Sequence, residues 1–239
     1  MDSADVTEPN GKKEQVRLMF NNIARRYDFL NHFLSVGIDR CWRRKLIRRM
    51  GQFHPSDILD IATGTADLAI AAAKLDPTKI IGIDIAEEML AIGQIKVNHL
   101  HLQNLIQLRL ADSENLPFAD ASFDAVMVAF GVRNFENLDL GLSQMYRVLR
   151  QGGRVFILEF SKPGKFPVKQ LYSLYFNHIL PVVGRIVSKD VSAYTYLPES
   201  VGKFPAGPEF LAKMELSGFR RVECKQLTFG VASLYSGQK

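Results

Sequence analysis

The chain has 239 residues, 47% of them hydrophobic and 23% charged, with a net charge of +5. That length fills one α/β domain with a complete core, and that balance excludes a disordered or fibrous polymer. The longest uncharged run, QLYSLYFNHILPVVG, is broken by Pro181 and is shorter than the ~20 apolar residues of a membrane-spanning helix, so an integral membrane protein is not expected.

The opening residues, MDSADVTEPNGKKE, are polar and acidic, which predicts a disordered tail and no secretory signal. Cys41 and Cys224 lack any CxxC spacing, as expected of a reduced cytoplasmic protein. Between residues 14 and 34, Val16, Met19, Phe20, Ile23, Tyr27, Leu30 and Leu34 fall at helical spacing. A second helix over 38–50 carries Ile38, Trp42, Leu46, Ile47 and Met50 on one side and six cations between Arg40 and Arg49 on the rest. Strands are predicted near 57–62, 79–84, 106–111, 123–129 and 153–159, with helices near 66–75, 86–98 and 137–149. A helix near 208–217 leads to two strand-like runs around Phe229–Gly230 that read as a hairpin. The expected fold is α/β: a Rossmann-like, doubly wound, seven-stranded sheet with a C-terminal antiparallel hairpin. Residues 1–50 are expected to form a tail and lid helices. Residues 51–239 are expected to form a single domain with a substrate-side insertion at about 161–207, too long for a simple connection.

In open α/β sheets, ligands bind beyond the carboxyl ends of the strands. Asp60, Gly64, Thr65 and Asp67 cluster at the first such end, in ILDIATGTADLA. Asp84 closes the second strand, where a carboxylate can accept from both hydroxyls of a ribose; Asp112 follows the third and can accept from an adenine amino group. The loop has Ala66 where a dinucleotide site needs a second glycine, and no GxxxxGK[ST] occurs, so phosphate is poorly provided for. A nucleoside with an amino-acid tail and no phosphate, S-adenosylmethionine, suits this set. No His, Cys, Asp and Glu cluster has metal-ligand spacing, and no metal is expected.

Longer motifs carry a resemblance. YDFLNHFLSVGIDRCW (Tyr27–Trp42), RVLRQGGRVFILEFS (Arg147–Ser161), FGVRNF at 130–135 and the SKP segment before LPVVG are similar to segments of the ubiquinone/menaquinone biosynthesis C-methyltransferase family. The likeness covers nearly the whole sequence, departing at Asp39, Ala66 and Gln151, where histidine, glycine and proline are frequent. It implies a class I S-adenosylmethionine-dependent methyltransferase that methylates a ring carbon of a prenylated quinol. Thr65, Asp84, Asp112 and Ser113 match the family's cofactor-binding positions. The expected reaction is demethylmenaquinol to menaquinol, with the demethoxyquinol of ubiquinone biosynthesis as the alternative.

The sulfonium methyl is already activated, so the protein has to align the ring carbon and favour the phenolate. Arg133 at the mouth of the site is expected to supply a fixed cation, and Asn134 to orient the ring oxygen. Tyr172, Tyr175, His178, Tyr194 and Tyr196 are expected to line the prenyl pocket. Expected partners are the quinol, a second copy of the protein, and anionic lipid against the Arg40–Arg49 run, placing the protein at the inner face of the cytoplasmic membrane. RNA methylation and non-catalytic quinone binding are the rival readings. The absence of an Asn-Pro-Pro-Tyr type segment argues against the first, and the intact strand-end acids against the second.

Overall fold

A computed structural model describes residues 11–34, 37–164, 166–174 and 192–239. The expected disordered tail lies largely outside them, as do Tyr175 and His178.

Seven strands form one sheet: β1 (Asp57–Ile61), β2 (Lys79–Asp84), β3 (Ile106–Leu110), β4 (Phe123–Ala129), β5 (Leu149–Phe160), β6 (Arg220–Leu227) and β7 (Ala232–Gln238). Their order is β3-β2-β1-β4-β5-β7-β6, parallel except for β7, which runs antiparallel to both neighbours. The path moves outward from β1 to β3, then returns to place β4 on the other side of β1. That reversal opens a crevice between β1 and β4 at their carboxyl ends.

The central strands are apolar on both faces, as in IIGI of β2, AVMV of β4 and VFIL of β5, because helices cover both sides. On one face Ile58, Ile80, Met127, Phe156 and Leu158 meet Trp42, Leu46, Ile47 and Met50 of α2 (Ile38–Gly51) and Leu68, Ala69 and Ala72 of α3 (Asp67–Ala72). On the other, Leu59, Ile83, Val126, Val155 and Ile157 meet Leu142, Met145 and Val148 of the amphipathic helix Leu138–Val148. That helix starts where the Asn137 side chain accepts the Leu140 N–H at 3.0 Å, a conventional N-cap. It is α5, since α4 spans Glu87–His99. Later helices are α6 (Val168–Leu174), α7 (Ser192–Lys203) and α8 (Pro208–Leu216).

The strands and helices agree with the sequence expectations, with two differences. The helix predicted over 66–75 is α3 followed by a 3₁₀ turn at Ala73–Leu75. The fifth strand starts earlier than predicted, at Leu149, because Leu149 pairs with Phe123 across an irregularity before the regular ladder begins at Arg154.

Two features prepare the site. Ala66 is fully buried in the left-handed conformation, φ 66°, which costs about 1–2 kcal/mol for an L-residue. Facing it on α4 is Gly93, where an added Cβ would lie 3.2 Å from the Ala66 Cβ and 2.9 Å from Leu108 Cδ1. The second is α1 (Lys12–Leu34), which packs Phe20, Ala24 and Tyr27 against Ala86, Met89 and Ile92 and so lies over the strand ends.

Candidate active site

A cleft with about 650 Å³ of empty space, open solvent included, lies at the carboxyl ends of β1, β2 and β4. It brings together Gly64, Asp84, Asp112, Ser113 and Asn134, five of the residues singled out from sequence. Lys13, Val16, Phe20 and Tyr27 of α1 roof it. A smaller cavity of about 310 Å³, lined by Asp60, Thr65, Asp67 and Arg43, shares Tyr27, Ala62 and Ala129 with the first.

Asp84 ties the first loop to the end of β2. Its Oδ2 accepts the Gly64 N–H at 2.8 Å and its Oδ1 the Ala86 N–H at 2.9 Å. Burial raises its pKa, against the pull of these N–H groups. Each carboxylate oxygen has two lone pairs, so acceptor capacity remains toward the cavity that Asp84 lines.

At the third strand end, Asp112 Oδ1 accepts the Glu114 N–H at 2.9 Å, and Oδ2 pairs with Lys13 Nζ at 2.7 Å. Lys13 lies 3.4 Å from Glu114 as well, and its hydrogen bond to Asp112 holds its pKa above the usual lysine value. Lys12 donates from Nζ to the carbonyls of Arg133 and Phe135, while its backbone N–H donates to Glu136 Oε1 at 3.0 Å. Two adjacent lysines of α1 thus strap the helix to the loops after β3 and β4.

The smaller cavity holds unusual charge. Asp60 is fully buried; its Oδ2 accepts the Thr63 hydroxyl at 2.6 Å, and its Oδ1 has no hydrogen-bond partner. Burial pushes its pKa up to about 7, opposed by the Thr63 hydrogen bond and the Arg43 charge. Arg43 is itself buried, pairing through Nη1 with Asp39, and its Nε has no hydrogen-bond partner. Thr65 receives Lys96 Nζ at 2.9 Å, and that ammonium also holds Asp67 at 2.7 Å. The basic run of α2 is therefore not one solvated face: Arg43 turns inward and Arg49 pairs with Glu223.

These residues fit a nucleoside with an amino-acid tail. Asp84 and Asp112 offer carboxylates to hydroxyl and amino groups. The unsatisfied atoms of Asp60 and Arg43 offer one acceptor and one donor to a zwitterion, and an unpaired polar atom in such a place is costly unless a ligand completes it. Among the described residues no group of three or more His, Cys, Asp or Glu could hold a metal ion.

Arg133 sits differently from the expectation of a cation at the mouth. It lines neither cavity, and its buried side chain donates from Nη1 to Glu159 Oε1 at 2.8 Å and to the Phe130 carbonyl. The reason is the fold: β4 and β5 are adjacent, and Glu159 is a fully buried acid in an apolar strand that requires a counter-charge. Burial raises the Glu159 pKa, and the Arg133 charge opposes that rise. Asn134 does line the main cavity, and its Oδ1 accepts the Tyr196 hydroxyl at 3.0 Å. Burial raises the pKa of both Tyr172 and Tyr196, with the nearby Arg133 charge acting against it. Two tyrosines of the insertion thus converge on the loop after β4. For Tyr194 only its place in α7 is described.

Sequence reasoning missed Lys13 and Arg43 as lining of these cavities and Glu159 as the partner of Arg133. Glu159 had a readable signal, being the lone acid in VFILEF. Arg43 had a weaker one, an Asp four residues earlier beside the only tryptophan.

Comparison with known proteins extends this geometry. A demethylmenaquinone methyltransferase of Bacteroides fragilis is 49% identical over 232 residues, covering 96% of this chain and 95% of that one. The ubiquinone/menaquinone biosynthesis C-methyltransferase UbiE of Geotalea daltonii is 46% identical over 230 residues, covering 95% and 97%. Among solved structures, a putative S-adenosyl-L-methionine-dependent methyltransferase from Methanococcus maripaludis superposes with a TM-score of 0.63 at 19% identity, over 100% of this chain and 97% of that one; this likeness shows the fold. The profile of the ubiE/COQ5 methyltransferase family matches residues 8–239, and the protein belongs to that family, as an S-adenosylmethionine-dependent methyltransferase.

Proposed function

We propose that this protein methylates a ring carbon of demethylmenaquinol to give menaquinol, the last step of menaquinone biosynthesis. The observation that carries the choice of substrate is likeness over the whole length to relatives bearing that name. The demethoxyquinol of ubiquinone biosynthesis is the second reading, supported by the double name of the relatives at 44–46% identity. Incubating the enzyme with radiolabelled S-adenosylmethionine and demethylmenaquinol, the demethoxyquinol or bulk RNA tests both. Label in RNA alone, or nowhere, overturns the proposal.

When bound, S-adenosylmethionine supplies an electrophilic methyl group. Asp84 would hold its ribose, Asp112 and Ser113 its adenine, and Asp60 with Arg43 its ammonium and carboxylate; Thr65 and Gly64 shape the loop between. Asn134 would orient the ring oxygen. Because its Oδ1 is occupied by Tyr196, its amide hydrogens face elsewhere and can donate to an oxygen that becomes anionic. Arg133 acts from behind this amide, its charge largely balanced by Glu159. Phenolate stabilisation therefore rests more on placed dipoles than on a naked cation.

Two outcomes follow here. Tyr196→Phe leaves the Asn134 amide free to rotate, so kcat is expected to fall about 3- to 10-fold, the worth of one hydrogen bond, while calorimetric titration finds cofactor affinity unchanged. The second concerns pH. With its pKa near 7, Asp60 is protonated on the acidic side and cannot pair with an ammonium. Cofactor affinity is expected to rise between about pH 6 and about pH 8, and Asp60→Asn to flatten that rise. The ligand-free protein moves oppositely. A carboxyl whose folded pKa lies above the unfolded 3.8 contributes stability that is present below 3.8 and lost as pH rises through about 7. A pH-independent Kd in the unmodified enzyme would remove Asp60 from the cofactor site.

A further inference from the structure

The turn between β6 and β7 has an unusual build. Thr228 and Phe229 are consecutive left-handed residues, φ 46° and 56°, a conformation that disfavours both side chains. The turn is clamped from two sides: Trp42 Nε1 donates to Thr228 Oγ1 at 2.8 Å, and the Ser161 hydroxyl donates to the Gly230 carbonyl at 2.8 Å. The product of this strained and braced turn is a phenyl ring left 80% exposed to water. Burial in the core does not explain it, since the ring is not in the core.

Both braces lead to similar surface. On α2, Ile38 and Lys45 flank Trp42 at four residues before and three after, and both are exposed. Beyond Ser161, Lys162 and Lys169 are exposed, and between them Phe166 is 81% exposed. The two segments that brace the turn thus both carry exposed apolar side chains and exposed lysines. This edge of the sheet lies at the carboxyl end of β5, the end at which the main cavity opens. Glu223, the acid nearest this edge on β6, is neutralised by Arg49.

We propose that this edge docks on an anionic lipid bilayer, with Phe229 and Phe166 entering the headgroup region and the lysines meeting lipid phosphates. Exposed aromatic tips on segments that carry lysines have the composition of an interfacial binding surface, and no helix among the described residues is long and apolar enough to cross the membrane. The proposal rests on the reading of the substrate as a prenylated quinol only for its purpose: the docked edge lets a membrane-borne ring reach the cavity without its tail crossing water.

Co-sedimentation of the full-length protein with phosphatidylcholine vesicles, with and without phosphatidylglycerol, tests it. The unmodified protein is expected to sediment with the anionic vesicles only, less so at high salt. Phe229→Ser with Phe166→Ser, and separately Lys45→Glu with Lys162→Glu, are each expected to reduce binding about tenfold or more. Their thermal melts should match the unmodified protein. Turnover of a short-tailed quinol in solution should be unchanged, while turnover of a long-tailed quinol presented in anionic vesicles falls. No sedimentation with either vesicle overturns the proposal, as does binding the variants leave intact, or retention on RNA with none on vesicles. A protein that sediments as expected but methylates neither quinol keeps the docking edge and loses the proposed reaction.

Discussion

Arg133→Ala is expected to lose about 3–5 kcal/mol of stability, because it leaves the fully buried Glu159 carboxylate without its counter-charge. For a protein of this size that is a fall in melting temperature of about 10 °C. The deficit should shrink in acid. A carboxyl whose folded pKa is raised contributes most below its unfolded pKa, and removing the guanidinium raises the Glu159 pKa further. The loss of turnover in this variant therefore mixes a structural and a chemical effect. Arg133→Met combined with Glu159→Leu separates them. Replacing both charges by apolar side chains of similar volume should bring the melt back near the unmodified value, while kcat stays depressed. Recovery of full turnover in the double variant would mean that Arg133 serves the fold alone. A single variant that melts like the unmodified protein would mean that the pair contributes nothing to stability.

Asp84→Ala is expected to weaken cofactor binding at least about 100-fold. Two hydroxyl hydrogen bonds to a charged acceptor are worth about 1.5 kcal/mol or more each, and about 1.4 kcal/mol corresponds to one factor of ten. The substitution also strips the Gly64 and Ala86 N–H groups of their acceptor, so the first loop itself loosens. Asp84→Asn keeps one acceptor oxygen and should fall between, near tenfold. Isothermal titration with S-adenosylhomocysteine reads both; a Kd within about threefold of the unmodified enzyme for the alanine variant would reduce Asp84 to a loop brace.

The central strands β2, β4 and β5 were readable because parallel strands buried on both faces are short, largely apolar runs, as in KIIGID and FDAVMVA. That Asp84, Asp112 and Asn134 meet around one cavity was readable for a related reason: a strand end and the loop after it are local information, and this topology gathers them at one end of the sheet. Pairings across the fold were not. Lys13 meets Asp112, Arg133 meets Glu159 and Lys12 meets the Phe135 carbonyl only once the sheet is assembled. Arg43 shows the limit most directly. In RCWRRK only its place after Trp42 and four residues beyond Asp39 sets the inward arginine apart, and weakly, until the pitch of α2 is fixed by Trp42, Leu46 and Met50 entering the core. Composition made the run look like one uniform basic face; helix phase divided it.

Ala66 and Gly93 bear on how this loop can change over time. The glycine that the first turn lacks is present on the facing helix, where the Ala66 methyl is one of the atoms that closes the space at 93. Glycine at 66 would relieve the left-handed backbone and remove one of the three close contacts an added Cβ at 93 meets; the Leu108 end, at 2.9 Å, and the Thr65 backbone carbon, at 3.2 Å, would still have to give. With alanine at 66, a side chain at 93 would meet Leu108, the Ala66 methyl and the Thr65 backbone within 3.2 Å. Counted along the loop alone, the nucleoside turn is one glycine short; counted across the loop and the helix it touches, it is complete.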